Sequence, residues 1–369
     1  MEVGTVDQFY NPDLKPLIET AERFAAKEIP GKMVKLDSLE KPGFPWEAIR
    51  AGGEAGFLWG PLSEELGGAS LGLEALAVLI EKLAEGAAGL AAIFAAHLAT
   101  TATLAGFESL KPMLSKMADH SADPQPFLFG VALPRTAVPL SRPAIPMVEE
   151  KGGDLIITAD FICFPAPGEC CRVALVTGEK NAHAVMVESD RVKSFSEAVY
   201  PGSGLEEFST KGLKLDNFKA SDDELLDKTV CATLWRHLRV LLAAAQLGNA
   251  RAAARQAWQY AEERIQTGRK IIEHQDVRRV LENMMEQVSA MLGMVRLAAG
   301  APPGEAAGAL ARRAYTFCGT SAEQVCLDAV QTLGGYGYMK DYGLEKRLRD
   351  AKSIQCLLGT YPEDMLGGV

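Results

Sequence analysis

The chain has 369 residues, 48% hydrophobic and 23% charged, enough to bury large cores in two or three packed units. Its formal net charge is −10 and no run of lysines and arginines tracks a phosphate backbone or an anionic lipid surface, so nucleic-acid binding is not expected. The opening residues lack a basic segment followed by an apolar one, and no apolar stretch reads as long and uninterrupted enough to span a bilayer, so a cytoplasmic location is expected.

From about Leu14 to Lys116 apolar residues recur at helical spacing, as in Leu76, Leu79, Ile80 and Leu83 ahead of Gly86. This predicts an N-terminal helical domain over residues 1–121. Between Phe127 and about Ala220 the texture changes to short β-rich runs, FLFGVAL, LIITADFICF, RVALVTG and HAVMVE, separated by Pro, Gly and Asp clusters. They predict a small sheet or barrel over 122–222. From Lys228 onward helix returns, with Val277, Val280, Leu281, Met284, Val288, Met291, Leu292 and Val295 on one broad apolar stripe. Such stripes predict a helical bundle over 223–369. The alanine-rich helix RVLLAAAQLGNARAAARQAWQYAEER spreads small residues over more than one face, which predicts close helix neighbours on several sides and an oligomer.

Seven cysteines, Cys163, Cys170, Cys171, Cys231, Cys318, Cys326 and Cys356, form no CxxC pair, so neither a zinc site nor a disulfide framework is indicated. The neighbours Cys170 and Cys171 project in different directions and read as thiols without a role. The five histidines fall in no HxxxH or HExxH arrangement, so no metal site is expected.

Three stretches in this order resemble the flavin-dependent acyl-CoA dehydrogenases. FPWEAIRAGGEAGFLWGPLSEELGGASLGLEALAVLIEKLAE is similar to the family's first-domain pattern, YAEERIQTGRKIIEHQ (Tyr260 to Gln275) to one signature, and QTLGGYGYMKDYGLEKRLRDAKSIQ (Gln331 to Gln355) to a second. The likeness covers nearly the whole chain, most weakly in the β-rich segment. It implies an α+β fold with an N-terminal helical domain, a middle β-barrel-like domain and a C-terminal four-helix bundle, an oligomer such as a tetramer, FAD as cofactor and an acyl-CoA thioester as ligand. It also implies that Arg264, Gln275, Gln331, Gly334, Gly335 and Thr360 bind the cofactor, with Arg264, Gln331, Gly334 and Gly335 reaching across a dimer interface into FAD held by a neighbouring subunit and Gln275 matching a residue of the same adenosine-side region. Chemically, Arg264 can fork onto pyrophosphate oxygens, Gln331 can bridge to them, and the two glycines let backbone N–H groups approach. In the alternative reading, Gly334 and Gly335 only cap a helix ending at Leu333, and Arg264 pairs with Glu263 or another acid.

The departures from the family pattern are as informative. Desaturation there needs a carboxylate beside the substrate's alpha carbon. The resemblance puts that base immediately before Gly359-Thr360, where this chain has Leu358, or one residue before Arg239, where it has Leu238. Leucine cannot accept a proton. His97, Glu363 and Asp364 are the possible substitutes; in the alternative reading His97 is a hydrogen-bonded structural histidine and the two acids belong to a solvated C-terminal tail. The flavin-contacting runs of the family are replaced by ALPRTAVPLSRPAIP (Ala132 to Pro146) and FICFPAP (Phe161 to Pro167), and Pro362 follows Gly359-Thr360. Prolines have no N–H to offer. The losses fall on what a subunit builds around its own flavin, and the retained residues are those that reach into a neighbour's. Three readings follow: a subunit that completes the FAD site of a catalytic relative, a self-sufficient flavoprotein homotetramer with a relocated base, and a non-catalytic acyl-CoA-binding or scaffold protein.

Overall fold

The computed structural model describes residues 10–29, 44–108, 114–115, 127–134, 147–151, 154–165, 170, 172–176, 183–192, 195–196, 204–205, 211–221 and 224–358. The two expected domain boundaries, 121/122 and 222/223, lie outside the described residues. Within them the order is helices, then strands, then longer helices, as the periodicity predicts.

The first unit contains α1 (Lys15–Lys27), α2 (Trp46–Glu54), α3 (Leu73–Gly86) and α4 (Ala88–Ala105). α1 carries Pro16 in its first turn, where a missing N–H leaves no intrahelical bond broken, and buries Ala21, Phe24 and Ala25 along one side. α4 is different: almost every residue from Ala88 to Leu104 is buried, so it is apolar all round rather than striped. This corrects the expectation that no segment could span a bilayer. By length and composition α4 could, but 89% of it is buried inside the protein, as befits a core helix.

The middle unit is one mixed sheet built from β1 (Phe129–Pro134), β2 (Met147–Lys151), β3 (Asp154–Phe164), β4 (Arg172–Val176), β5 (Ala184–Glu188), β6 (Phe195–Ser196), β7 (Lys211–Ala220) and β8 (Leu225–Leu226). Pairing runs β6-β7-β3-β1-β4-β5-β8, with β2 also on β3. β1 pairs in parallel with β4 and antiparallel with β3, and all other pairs are antiparallel. β1 is buried through Phe129 and Val131 and packs on α4.

The third unit contains α5 (Lys228–Glu263), α6 (Gln275–Gly300), α7 (Glu305–Leu333) and α8 (Leu344–Leu357). The Asp227 carboxylate caps α5 by accepting from the Thr229 N–H at 2.8 Å. The expected small-residue contacts are present: Ala243, Ala244, Ala245, Ala250, Ala253 and Ala257 are fully buried as α5 packs against α3, α4, α6, α7 and α8. At Gly248 the approach is closest, since a Cβ there would stand 2.0 Å from the Glu81 carbonyl oxygen. Of the stripe read from the sequence, α6 buries Leu281, Met284, Val288, Met291, Leu292 and Val295, while Val277 and Val280 near its start are only half-buried.

Where the first and third units meet, a polar network replaces apolar packing. Arg251 lies 2.8 Å from Glu81 Oε1, donates to the Tyr10 hydroxyl at 2.7 Å, and that hydroxyl donates to Glu81 at 2.6 Å. Lys82 bridges Glu22 at 2.8 Å and Glu85 at 3.3 Å, and Glu85 also meets Arg255 at 2.9 Å. Burial alone would raise the Glu85 carboxyl, but the Lys82, Arg255 and Arg251 cations together hold it below the ordinary carboxylate range. Arg347 of α8 joins by donating to the Glu85 carbonyl at 2.7 Å. At the other side of α8, the Asp350 carboxylate accepts from the Leu205 N–H and from Lys346, each at 2.6 Å, which fastens residues 204–205 to the bundle.

Candidate functional site

α5 ends at Glu263, and Arg264 turns the backbone into an extended conformation while its N–H still bonds to the Tyr260 carbonyl. A two-stranded hairpin follows, β9 (Ile265–Gln266) with β10 (Arg269–Lys270), closed by Thr267 and Gly268, both at positive φ. The Ile271 N–H then returns to the Arg264 carbonyl at 2.8 Å, which delivers the chain to the start of α6 beside the end of α5. From the other direction α7 ends at Leu333, and Gly334 takes φ 60° and ψ −131°, a conformation closed to residues with a Cβ. That turn starts the short 3-10 segment Gly334–Tyr338.

These ends enclose an open cleft of ≈ 600 Å³. Arg264, Gln331, Gly334 and Gly335 all line it, together with Tyr260, Gln266, Asp276, Val277, Val280, Tyr336 and Met339. Gln275 is the exposed first residue of α6 and does not line the cleft, although its neighbours Asp276 and Val277 do. Thr360 lies outside the described residues, as do Gly359, Pro362, Glu363, Asp364, Cys171 and residues 135–146.

The geometry bears on both readings of this cluster. Gly334 does end α7, so helix capping accounts for its backbone. Arg264 pairs with neither Glu263 nor any other acid among the described residues, and its side chain is exposed at the cleft. An exposed guanidinium lining the same cleft as glycine backbone could pair with an anionic group, although Asp276 lines that cleft too. Sequence reasoning missed the aromatic rim. Tyr336 lies 6.3 Å from Tyr260 and 5.3 Å from Tyr342, between ring centroids, and Tyr336, Tyr338, Met339, Tyr342 and Ile265 are exposed, Tyr338 to 70%. Exposed aromatic side chains grouped beside a cleft are consistent with an association face. The signal was available in GGYGYMKDYG, three tyrosines within eight residues that end a helix rather than continue one.

The positions expected for a base are apolar in fact as well as in name. Leu238 is fully buried in the first third of α5. Leu358 is the half-buried C-cap of α8, and its N–H donates to the Tyr315 hydroxyl at 3.2 Å. Arg239 lies over the Trp235 ring at 4.9 Å. His97 is not a substitute base, which corrects one expectation. It is fully buried, its Nδ1 accepts from the Phe129 N–H at 3.2 Å, and its Nε2 therefore carries the proton and donates to the Leu58 carbonyl at 3.1 Å. Both nitrogens are committed to joining α4, β1 and the segment after α2.

Burial pushes the His97 pKa down to about 4. Because the folded value lies below the unfolded one, the contribution is complete above about pH 6.5 and is lost as pH falls toward 4. It amounts to about 3 kcal/mol at 1.36 kcal/mol per unit. Chemical denaturation at pH 7 and pH 4.5 is expected to show this loss, and His97→Gln to reduce the pH slope while lowering stability at pH 7. His237, lowered to about 4 by burial and by Arg236, contributes to the residual slope, as do the shifted Glu81 and Glu85 carboxyls. An unchanged slope in His97→Gln would remove His97 from the account.

Comparison with known proteins places these features in a family. Residues 11–119 match the profile described as "Acyl-CoA dehydrogenase, N-terminal domain" and residues 229–361 the one described as "Acyl-CoA dehydrogenase, C-terminal domain". A probable acyl-CoA dehydrogenase of Mycobacterium tuberculosis is 30% identical over 373 residues, 96% of this chain and 94% of its own length. An acyl-CoA dehydrogenase of Bacillus subtilis (strain 168) is 28% identical over 353 residues, 91% of this chain and 92% of the relative. The butyryl-CoA dehydrogenase structure from Megasphaera elsdenii superposes with a TM-score of 0.80 at 21% identity, covering 97% of each chain.

Proposed function

The chain belongs to the acyl-CoA dehydrogenase family, and within it we propose a subunit that completes the FAD site of a catalytic relative without desaturating acyl-CoA itself. The observation that carries this reading is the asymmetry of the site. Arg264, Gln331, Gly334 and Gly335 line one open cleft beside an exposed aromatic rim, while leucines occupy both places where a base is expected.

FAD, when bound, supplies the hydride acceptor for CH–CH oxidation of an acyl-CoA thioester. The residues of this chain would hold the dinucleotide: Arg264 paired with pyrophosphate oxygens, Gln331 hydrogen-bonded beside it, and the Gly334–Gly335 backbone near enough to donate N–H groups. Gln275 and Thr360 belong to the same proposed set. Proton removal, however, needs a lone pair at the alpha carbon, and Leu238 and Leu358 have none. A missing base is worth about a hundred- to ten-thousandfold in rate. The aromatic rim is where the catalytic relative would seat, bringing its flavin against the cleft, in a cytoplasmic hetero-oligomer.

The experiment is a flavin count. The purified chain alone is expected to be colourless, and to gain flavin absorbance only when mixed with a relative that keeps the glutamate before its Gly-Thr pair. Arg264→Ala is expected to weaken that flavin retention by roughly tenfold or more, as loss of a charge-assisted pair implies. One tightly bound FAD per chain in the isolated protein would favour the self-sufficient reading instead.

A further inference from the structure

In the sequence the only clustered cysteines are the neighbours Cys170 and Cys171, but folding brings Cys170 to a different thiol. Cys163 lies near the end of β3, where it pairs with Ala132 of β1. Cys170 lies in the turn that leads into β4, the strand on the other side of β1. A Cβ at Gly130 of β1 would stand 2.8 Å from the Cys170 Sγ and 2.9 Å from the Pro165 carbonyl oxygen, so the thiol fills the place that a side chain at 130 would take. Residues two apart on a strand share a face, and so do cross-strand partners. Gly130, Ala132 and Cys163 are therefore on one face of the sheet, and Cys170 folds over that face from the β4 side.

Both thiols converge on one atom. Cys163 Sγ donates to the Pro165 carbonyl oxygen at 3.4 Å, and Cys170 Sγ donates to the same oxygen at 3.8 Å. Cys163 is fully buried and Cys170 is 6% exposed. Packing accounts for two small apolar side chains in a core. It does not call for two sulfurs on one acceptor, nor for a glycine and an alanine on β1 that leave them room.

We propose that Cys163 and Cys170 are an oxidisable pair that closes to an intrachain disulfide over Gly130, with a hydroperoxide as the oxidant. Cys170, the more exposed, reacts first: its sulfur attacks one peroxide oxygen, the O–O bond breaks, and water leaves as a sulfenic acid forms. The Cys163 sulfur then attacks the Cys170 sulfur, the S–O bond breaks and a second water leaves. Two thiols have then given two electrons and two protons to one peroxide. The bridge closes a loop of eight residues and fastens the turn after β3 onto β1. Neither thiol lines the Arg264 cleft, and the test requires no flavin, so the pair stands or falls apart from the FAD reading.

Treatment of the reduced full chain with hydrogen peroxide, followed by thiol alkylation under denaturing conditions and tandem mass spectrometry, reads the pair directly. Cys163 and Cys170 are expected to escape alkylation together, in a peptide lighter by two hydrogens, while Cys171 is alkylated. Dithiothreitol is expected to return both thiols. Cys163→Ser is expected to abolish the loss of two hydrogens and to leave a sulfenic acid on Cys170 that dimedone traps, whereas Cys171→Ser keeps the bridge. The exposed Cys356 reports that the oxidant is active. The proposal is overturned if Cys356 oxidises while Cys163 and Cys170 both remain open to alkylation, if the bridge joins Cys171 instead, or if Cys163→Ser still loses two hydrogens from this peptide. Should Cys163→Ser not fold, the alkylation pattern of the unmodified chain decides equally.

Discussion

Gly248→Val is expected to be among the most damaging single substitutions in the bundle. A Cβ at this position would lie 2.0 Å from the Glu81 carbonyl oxygen and 2.9 Å from the Ala84 Cβ. The first contact is with backbone, so no rotamer change can relieve it, and α3 must move away from α5. That movement also pulls Glu81 from Arg251, one helical turn further along α5. Overpacking costs about 1–3 kcal/mol in ordinary cores, and the added loss of the buried pair places this variant above that range. Gly293→Ala is the control. A Cβ there meets nothing within 4 Å, and replacing a mid-helix glycine is expected to stabilise by about 0.5–1 kcal/mol. Urea unfolding of both variants checks the pair, and a Gly248→Val protein as stable as the parent would mean that the α3–α5 packing is wrong.

Arg251→Leu should be comparably severe for an electrostatic reason. Glu81 and Arg251 are 1% and 4% exposed, so removing the cation leaves the Glu81 carboxyl, still bonded to the Tyr10 hydroxyl, without its counter-ion in an interior that water does not reach. Breaking a buried pair on one side costs about 3–5 kcal/mol. Replacing both partners, Glu81→Leu with Arg251→Leu, is expected to recover much of the loss, because the desolvation penalty disappears with the charges. Additive losses in the double variant would show that Arg251 acts through packing, not through its charge.

Much of the architecture was legible in the sequence because burial follows periodicity. The stripe from Leu281 to Val295 faces the core, and the runs FLFGVAL, LIITADFICF, RVALVTG and HAVMVE became β1, β3, β4 and β5. The longest strand missed as a run, β7, alternates buried Leu213 and Leu215 with exposed Lys214 and Asp216, but Asn217 at positive φ breaks the alternation where the register with β3 shifts. The cleft was half legible. Resemblance to the family's signatures named Arg264, Gln331, Gly334 and Gly335, whereas their meeting depends on the ends of α5 and α7 lying side by side. His97 shows the limit of reading one residue at a time. Nothing in its local sequence says that a strand amide 32 residues away occupies its Nδ1. The Tyr10–Glu81–Arg251 network is hidden for the same reason, since it joins residues 71 and 241 positions from Tyr10.

The most direct test of the central claim is anaerobic flavin reduction by a saturated acyl-CoA, followed by absorbance in protein reconstituted with excess FAD. The unmodified chain is expected to leave the flavin oxidised. Leu358→Glu is expected to restore little, because a carboxylate in that half-buried apolar setting is shifted toward its protonated form and, on the proposed reading, the segments Ala132 to Pro146 and Phe161 to Pro167 no longer match the family's flavin-contacting runs. Rapid bleaching by Leu358→Glu would mean that only the base had been lost and that the chain's own flavin site is intact. Bleaching by the unmodified chain would contradict the account outright, because it would require a base elsewhere, with Glu363 and Asp364 the first to replace.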